Sequence, residues 1–362
     1  MVWTAYPDRL RAERPGYSLH MRVVVTGASG NVGTALLRRL AADRHDAVGI
    51  SRRRPPDEPP FAGVPWHQID LGARAAPAAL TEAMRGADAV VHLAWMIQPS
   101  YDRDAMRRAN QDGSRAVLSA VRAAGVGHLL HMSSVGAYSP AERGMCVDES
   151  WPCHGVPTSY YSVDKAAVEQ LLDTVTPEEF TLSRLRPTLI LQPGAASEIA
   201  RYFLGSLLPM TLARPGLMRL VPWPKSLCLQ FVHTDDVADA VIRILLDRMP
   251  GAFNVAADPV VDRAGFREAF GGVGPSVPSR VLGVAAGISW RLHVQPTDKG
   301  WVDLATRAPL LDTTRLRALG WQPQHSGTDT LRDFVAAMRH GRGAPGPLLY
   351  PKGRARGKAL AR

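Results

Sequence analysis

Tyr161-Ser162-Val163-Asp164-Lys165 sets a phenol and a primary amine four residues apart, one helical neighbour spacing, so the two side chains share a face. A free phenol, with a pKa of about 10, is a poor proton carrier at neutral pH. Two unit charges about 4 Å apart at an effective dielectric near 20 interact by about 4 kcal/mol, an upper guide to a shift of roughly 3 units. Lys165 can therefore prime Tyr161 as a general acid or base. Ser134, the second of the pair Ser133-Ser134, can hydrogen-bond a reacting carbonyl or alkoxide, as charge developing on oxygen requires. A bare Tyr-x-x-x-Lys is common on exposed helices. Its place after a strand and a serine pair is what marks this one.

A second constellation is Thr26-Gly27-Ala28-Ser29-Gly30-Asn31-Val32-Gly33, lying between an apolar strand pattern and a helical one. Glycine takes positive φ, lets backbone approach a pyrophosphate and allows close helix packing, while a helix N-terminus offers free N–H groups. Gly27, Ser29, Gly30, Asn31, Val32 and Gly33 are thus the candidate cradle of a dinucleotide. The next strand ends Ile50-Ser51-Arg52-Arg53-Arg54, with no acid for a ribose 2′-hydroxyl. Arg52, or Arg53 beside it, can instead make charge-assisted bonds to a 2′-phosphate, so the cofactor expected is NADP, with NAD as the alternative. A solvated basic loop accounts for the same three arginines.

These groups need a scaffold that brings strand ends together. Met21-Arg-Val-Val-Val reads as a buried strand, followed by a helix over Asn31–Ala42 and by strands at Ala47–Ser51, Trp66–Ile69, Ala89–Leu93 and His128–Met132. Helical patterns separate them, notably Asp104–Ala124, and a further helix runs from Tyr160 to about Val175 before a strand at Phe180–Arg186. Strands alternating with helices imply right-handed crossovers and a parallel sheet covered on both faces. The expected fold is α/β, a Rossmann-type doubly wound parallel sheet with a smaller, discontinuous C-terminal substrate-binding lobe. Later elements are expected near Gln230–His233, Asp235–Asp247, Phe253–Ala256 and Thr328–Arg339. In domain terms, residues 1–20 form a disordered extension with Met21 a candidate start, and 21–191 the NAD(P)-binding domain. Residues 192–340 are mainly the substrate-binding lobe, with 228–257 returning to the first domain, and 341–362 are a basic disordered tail.

Composition narrows the class. The 362 residues are 46% hydrophobic and 21% charged, which excludes a disordered, collagenous or coiled-coil chain. The net charge is +10, but 342–362 carry Arg342, Lys352, Arg354, Arg356, Lys358 and Arg362 without an acid, so the excess is largely terminal and points to no specific nucleic acid. Three cysteines without a C-x-x-C pair indicate neither a disulfide framework nor a zinc ribbon. No run reaches the ~18–20 apolar residues of a membrane span. A cytoplasmic protein acting on a small-molecule substrate is expected, and a homodimer is compatible with the sequence. No metal is expected: His128 and His131, three apart on a strand, face opposite ways. Asp235 and Asp236 read as a helix start. Cys146 and Cys153 read as ordinary thiols, and the Leu/Met/Pro-rich stretch Ile199–Leu229 as either an apolar substrate pocket or core packing.

Taken together the motifs resemble the short-chain dehydrogenase/reductase superfamily, specifically its extended branch of NAD(P)-dependent epimerases, dehydratases and reductases, over about residues 21–340. The resemblance rests on Gly27/Gly30/Gly33, Asp70-Leu71, His92-Leu93-Ala94, Asn110 in Asn-Gln-Asp-Gly-Ser, and Ser134/Tyr161/Lys165. It extends to Arg186-Pro187, to Phe231-Val232-His233-Thr234-Asp235-Asp236-Val237-Ala238 and to Phe253-Asn254-Val255-Ala256. It implies that Asp70 and Leu71 lie near the adenine, Leu93 and Ala94 line the cofactor, and Arg186-Pro187 pack beside the nicotinamide. It also implies that Asn110 orders the active-site helix and its waters, that Tyr161 and Lys165 touch the cofactor as well as the substrate, and that His92 is not a base. The sugar-nucleotide dehydratases carry an Asp-Glu pair after the serine, where this chain has Val135-Gly136, so dehydration is disfavoured. The implied activity is NADP(H)-dependent hydride transfer to or from a carbonyl or secondary alcohol. A nucleotide-sugar epimerase and a noncatalytic NADP sensor are the alternatives.

Overall fold

The computed structural model describes residues 20–98, 100–196, 199, 222–225, 227–272, 274–293 and 297–340. The expected tail, nearly all of the expected N-terminal extension and most of the Ile199–Leu229 stretch lie outside them. Seven parallel strands form the central sheet: β1 (Arg22–Thr26), β2 (Asp46–Ser51), β3 (Trp66–Gln68), β4 (Ala89–His92), β5 (His128–Met132), β6 (Thr181–Pro187) and, later in the chain, β9 (Gly251–Val255). Their order is β9-β6-β5-β4-β1-β2-β3. Within β1 the side chains alternate between faces. Val23 and Val25 join Leu36, Leu37 and Leu40 of α1 (Asn31–Ala42) and Val237 and Val241 of α6 (Thr234–Leu246) in one core. Val24 joins the opposite core, with Leu80 of α2 (Ala76–Met84), Val117 of α4 (Gly113–Ala124) and Val168 of α5 (Tyr160–Leu172). This is the doubly wound α/β sheet that the alternating pattern implied.

The helix expected over Asp104–Ala124 is divided. A short α3 (Arg103–Arg107) passes through a π-turn, Arg108–Asp112, before α4 begins at Gly113. The π-turn holds Asn110, which is buried. Residues 228–257 divide between two sheets. β8 (Leu229–His233) pairs with β7 (Leu189–Leu191) and with β10 (Ala257–Val261) in a separate three-stranded sheet. Helix α6 and β9, which follow β8, do return to the central sheet. The reason is packing: Phe231 of β8 is buried among Phe266 of α7 (Arg263–Phe270) and Leu331, Phe334 and Val335 of α10 (Gly327–Arg339), a core distinct from that of the main sheet. Helices α8 (Ser279–Arg291) and α9 (Lys299–Arg307) pack against each other beside the start of α5.

Three histidines of β4 and β5 are buried as neutral bases. Burial pushes the pKa of His92 down to about 3 and that of His128 to about 4, and holds His131 well below the ordinary value. An unfolded chain protonates these rings near pH 6.5 while the folded one does not, so their contribution to stability is present above that pH and is lost as the pH falls. By this linkage His92 and His128 each cost about 2 kcal/mol at pH 5. His325, raised by Asp236, opposes the trend as a single group. Urea unfolding of wild type and of His128→Asn should show that the stability lost between pH 7.5 and pH 5 is smaller in the variant by about 2 kcal/mol. Equal losses in both proteins would refute the assignment of His128 as a neutral buried base.

Candidate active site

At the C-terminal end of the sheet, β1 turns into α1 through the glycine motif. Gly27 has φ +71°, and a Cβ there would lie 2.8 Å from the backbone of Ala94. A Cβ on Gly33 would lie 2.5 Å from the carbonyl oxygens of Gly27 and Ala28. The loop therefore folds against itself and against the end of β4 in a way that only glycine permits. Gly30 caps α1 without a side-chain hydrogen bond, and the first turn holds no acid. Its N–H groups are left for an anion, so the residues present fit a dinucleotide pyrophosphate. Ser29 is buried in the loop. Val32 is half-buried. Asn31 turns away: its Nδ2 donates to the Ile190 carbonyl, and its Oδ1 accepts from Gln192 and Thr234, tying the loop to β7 and α6.

The strand ends beside this loop carry the other expected contacts. Arg52 and Arg53 are exposed after β2, with Arg52 Nη1 3.8 Å from the Met96 sulfur and Ser51 Oγ donating to the Arg53 carbonyl. Asp70 is exposed and accepts from Gly72 N, whereas Leu71 is buried. The amides of Leu93 and Ala94 donate to Thr26, to its carbonyl and its hydroxyl respectively. His92 lies between the hydroxyls of Thr26 and Ser114, and Ser114 donates to the Asn110 carbonyl, so the ring carries its proton on Nε2. That is the hydrogen-bonding of a neutral structural ring. Asn110 uses its side chain on both backbone groups of Met96, accepting from N at 2.7 Å and donating to O at 3.0 Å. It therefore holds the loop after β4, and it is Gln111 Nε2 that reaches helix α5, at Asp164.

Helix α5 presents one buried row: Tyr161, Lys165, Val168, Glu169 and Leu172. Ser159 caps it, and Ser162 fastens its first turn by donating to the carbonyl of Gly136. Gly136 N in turn donates to Ser134 Oγ at 3.0 Å, and a Cβ on Gly136 would press on the Tyr161 ring at 2.8 Å. Ser134 and Tyr161 are thereby brought to the two sides of Gly136. Burial pushes the Tyr161 phenol up to about 12, and the nearby Ser134 hydroxyl moderates the rise. The lowering expected from Lys165 is not seen. Its ammonium donates to the Met132 carbonyl at 2.9 Å and sits 3.5 Å above the Trp95 indole, and burial brings its pKa down to about 7. The ammonium is spent on an indole and a carbonyl, and burial decides the direction in which the phenol shifts.

Two aromatic residues here escaped the sequence reading. Trp95 meets the Tyr161 ring edge-on, with centroids 6.3 Å apart, and Trp301 of α9 covers it at 5.3 Å. Trp301 Nε1 donates to Tyr160 Oη, and a Cβ on the preceding Gly300 would lie 2.3 Å from the Thr158 carbonyl, so α9 is seated hard against the start of α5. Trp95 directly follows the His92-Leu93-Ala94 motif and was within reach of a sequence argument, whereas nothing in the sequence marks Trp301. Arg186 is engaged inside the protein. Its guanidinium is buried against Glu169, at 2.9 Å from each carboxylate oxygen, and donates to Tyr138 Oη. Pro187 ends β6 buried, in register with Val255. The arrangement offers a proton-bearing phenol, a serine hydroxyl beside it, an amine poised near neutrality, an aromatic wall and an anion-receiving loop, which is equipment for moving a proton at a carbonyl oxygen next to a bound dinucleotide.

Comparison with known proteins gives the family. The model of the NAD dependent epimerase/dehydratase family matches residues 23–256. The chain is 30% identical over 323 residues to an uncharacterized protein of Mycobacterium tuberculosis (strain ATCC 25618 / H37Rv), covering 88% of this chain and 30% of that one. It is 32% identical over 205 residues to the 2-alkyl-3-oxoalkanoate reductase of Stenotrophomonas maltophilia (strain K279a), covering 56% of this chain and 58% of the reductase. The chain thus spans less than two thirds of the length of either relative. Its fold is similar to that of the UDP-glucose 4-epimerase of Thermus thermophilus in complex with NAD, with a TM-score of 0.65, 22% identity, and coverage of 88% of this chain and 99% of that one.

Proposed function

Because the chain belongs to the NAD dependent epimerase/dehydratase family, and so to the NAD(P)-dependent oxidoreductases and epimerases, we propose that it is an NADP(H)-dependent reductase acting on the ketone of a small molecule with an apolar body. The observation that carries this reading is the Ser134–Tyr161 hydroxyl pair walled by Trp95 and Trp301. Ser134 donates to the substrate oxygen, and Tyr161 delivers the proton that turns it into a hydroxyl. A phenol held near 12 stays protonated at neutral pH, which suits the acid of a reduction better than the base of an oxidation. Lys165 lies one turn along the helix from Tyr161, where its amine can hold the hydroxyls of a ribose. A bound nicotinamide supplies hydride to the carbonyl carbon. The glycine loop, the end of β4 and Arg52 would hold the dinucleotide. The aromatic wall suits an alkyl or aryl ketone, and one reductase among the relatives is named for an alkyl oxo acid.

The preference for NADP rests on Arg52 and on Ser51 standing where an acid would repel a 2′-phosphate. A hydrogen bond to a charged group contributes ~1.5–3 kcal/mol, so Arg52→Ala should weaken NADP binding by roughly 10- to 150-fold and leave NAD nearly unchanged. Ser51→Asp with Arg52→Ala should invert the preference, adding repulsion to the lost attraction. Calorimetric titration of the three proteins with each nucleotide is the test. Wild type binding NAD at least as tightly as NADP would leave the arginines as a solvated loop. If mass spectrometry also found NAD retained through purification, the epimerase would replace the reductase.

A further inference from the structure

Among the described residues, nothing covers the outer face of helix α8. Val281, Val284, Ile288 and Leu292, at spacings of three and four residues, form one stripe across the helix and the residue after it, and they are 56%, 59%, 54% and 69% exposed. Ala285, between them, is exposed as well. The opposite side is closed, with Gly283 buried against the Lys299 stem of α9. A surface helix ordinarily turns its polar side outward, and here the order is reversed. Its charge is also one-sided: Ser279–Arg291 contains Arg280 and Arg291, one near each end of the stripe and both exposed, and no acid. Acids on the neighbouring helix are engaged, Asp298 with Arg103 at 2.7 Å and Asp303 with Lys299. Beside the C-terminal end of the stripe Tyr101, 40% exposed, stacks on Trp290 and His293, an amphipathic ring at the rim of the apolar strip.

We propose that this face docks on an anionic phospholipid bilayer, with the aliphatic stripe in the headgroup–acyl boundary and Arg280 and Arg291 on lipid phosphates. An apolar strip edged by arginines and an aromatic ring, without acids, has the composition of a helix lying in a membrane interface. A second copy fits less well. A two-fold antiparallel pairing of α8 would set Arg280 against the opposite Arg291, with no free acid on α8 or α9 to receive either. Helix α8 packs on α9, which carries Trp301, so a docked protein would hold the wall of the candidate active site close to the bilayer. The docking itself stands apart from the catalytic reading, and its test measures lipid binding alone.

Co-sedimentation of the full chain with vesicles of phosphatidylcholine, with and without phosphatidylglycerol, tests the proposal. Wild type should bind the anionic vesicles, and binding should fall with added salt. Val284→Glu with Ile288→Glu should lower binding at least roughly tenfold with the melting temperature unchanged, since both residues face solvent. Gln in place of Arg280 or of Arg291 should lower it roughly fivefold per residue. Absence of binding by wild type overturns the proposal. So does binding that survives the double glutamate variant, which would come from the basic residues 342–362 instead. A dimer in sedimentation velocity that the same variant dissolves, without vesicle binding by wild type, would assign the face to a second copy.

Discussion

Tyr161→Phe is expected to lower turnover by about a hundredfold to ten-thousandfold, the usual contribution of a positioned acid or base, while nucleotide affinity stays near that of wild type. The change removes one hydroxyl from a buried ring whose packing against Trp301 and Trp95 is retained. Steady-state kinetics on a reducible ketone at saturating nucleotide, with a separate nucleotide titration, separates the two effects. A variant keeping more than about a tenth of wild-type turnover would transfer the proton to some other group. With the phenol near 12, ketone reduction should vary little through neutral pH, and alcohol oxidation should rise with pH as the phenolate becomes accessible. Tyr161→Phe should abolish that rise together with the rate.

Glu169→Ala should cost about 3–5 kcal/mol of stability, the loss found when one member of a buried ion pair is removed. Glu169 is 1% exposed and accepts from Arg186, Arg184 and Ser133. These bonds hold its carboxyl below the usual carboxylate range despite burial. Without it Arg186, 5% exposed, keeps only Tyr138 and the Glu149 carbonyl as partners. Glu169→Leu combined with Arg186→Met should recover much of the loss, because an apolar pair of similar volume leaves no charge unmatched. Urea unfolding of the single and double variants decides it, and a loss below about 1 kcal/mol for Glu169→Ala would show the network to be replaceable. Ser133 precedes Ser134 and Lys165 lies one turn before Glu169, so the network also sets the position of the catalytic row, and a lower kcat with little change in KM is expected to accompany the loss of stability.

Where a feature depended on neighbours along the chain, the sequence was sufficient. Alternating valines in β1, glycines that only a tight turn requires, and the apolar rows of α1 and α5 are local patterns, and Asn31–Ala42 and His128–Met132 appear with the bounds that periodicity predicts. The four-residue spacing placed Tyr161 and Lys165 on one face for the same reason. Continuing that row by four more residues would have pointed to Glu169, whose meaning depends on Arg186, a strand away.

Folding decided the features that require distant segments to meet. Trp301 covers Tyr161 only because α9 closes on α5, and no spacing rule joins residues so far apart. Arg186 became part of the core because Glu169 of α5 meets it directly on one face of the sheet, and β8 joined a second sheet because aromatic residues of α7 and α10 offered it a separate core. The protonation of the site followed burial as well: the same Tyr-x-x-x-Lys spacing on an exposed helix would leave both groups near their ordinary pKa values. Inside this fold, desolvation raises the phenol and lowers the amine, since both charged forms lose water that nothing nearby fully replaces.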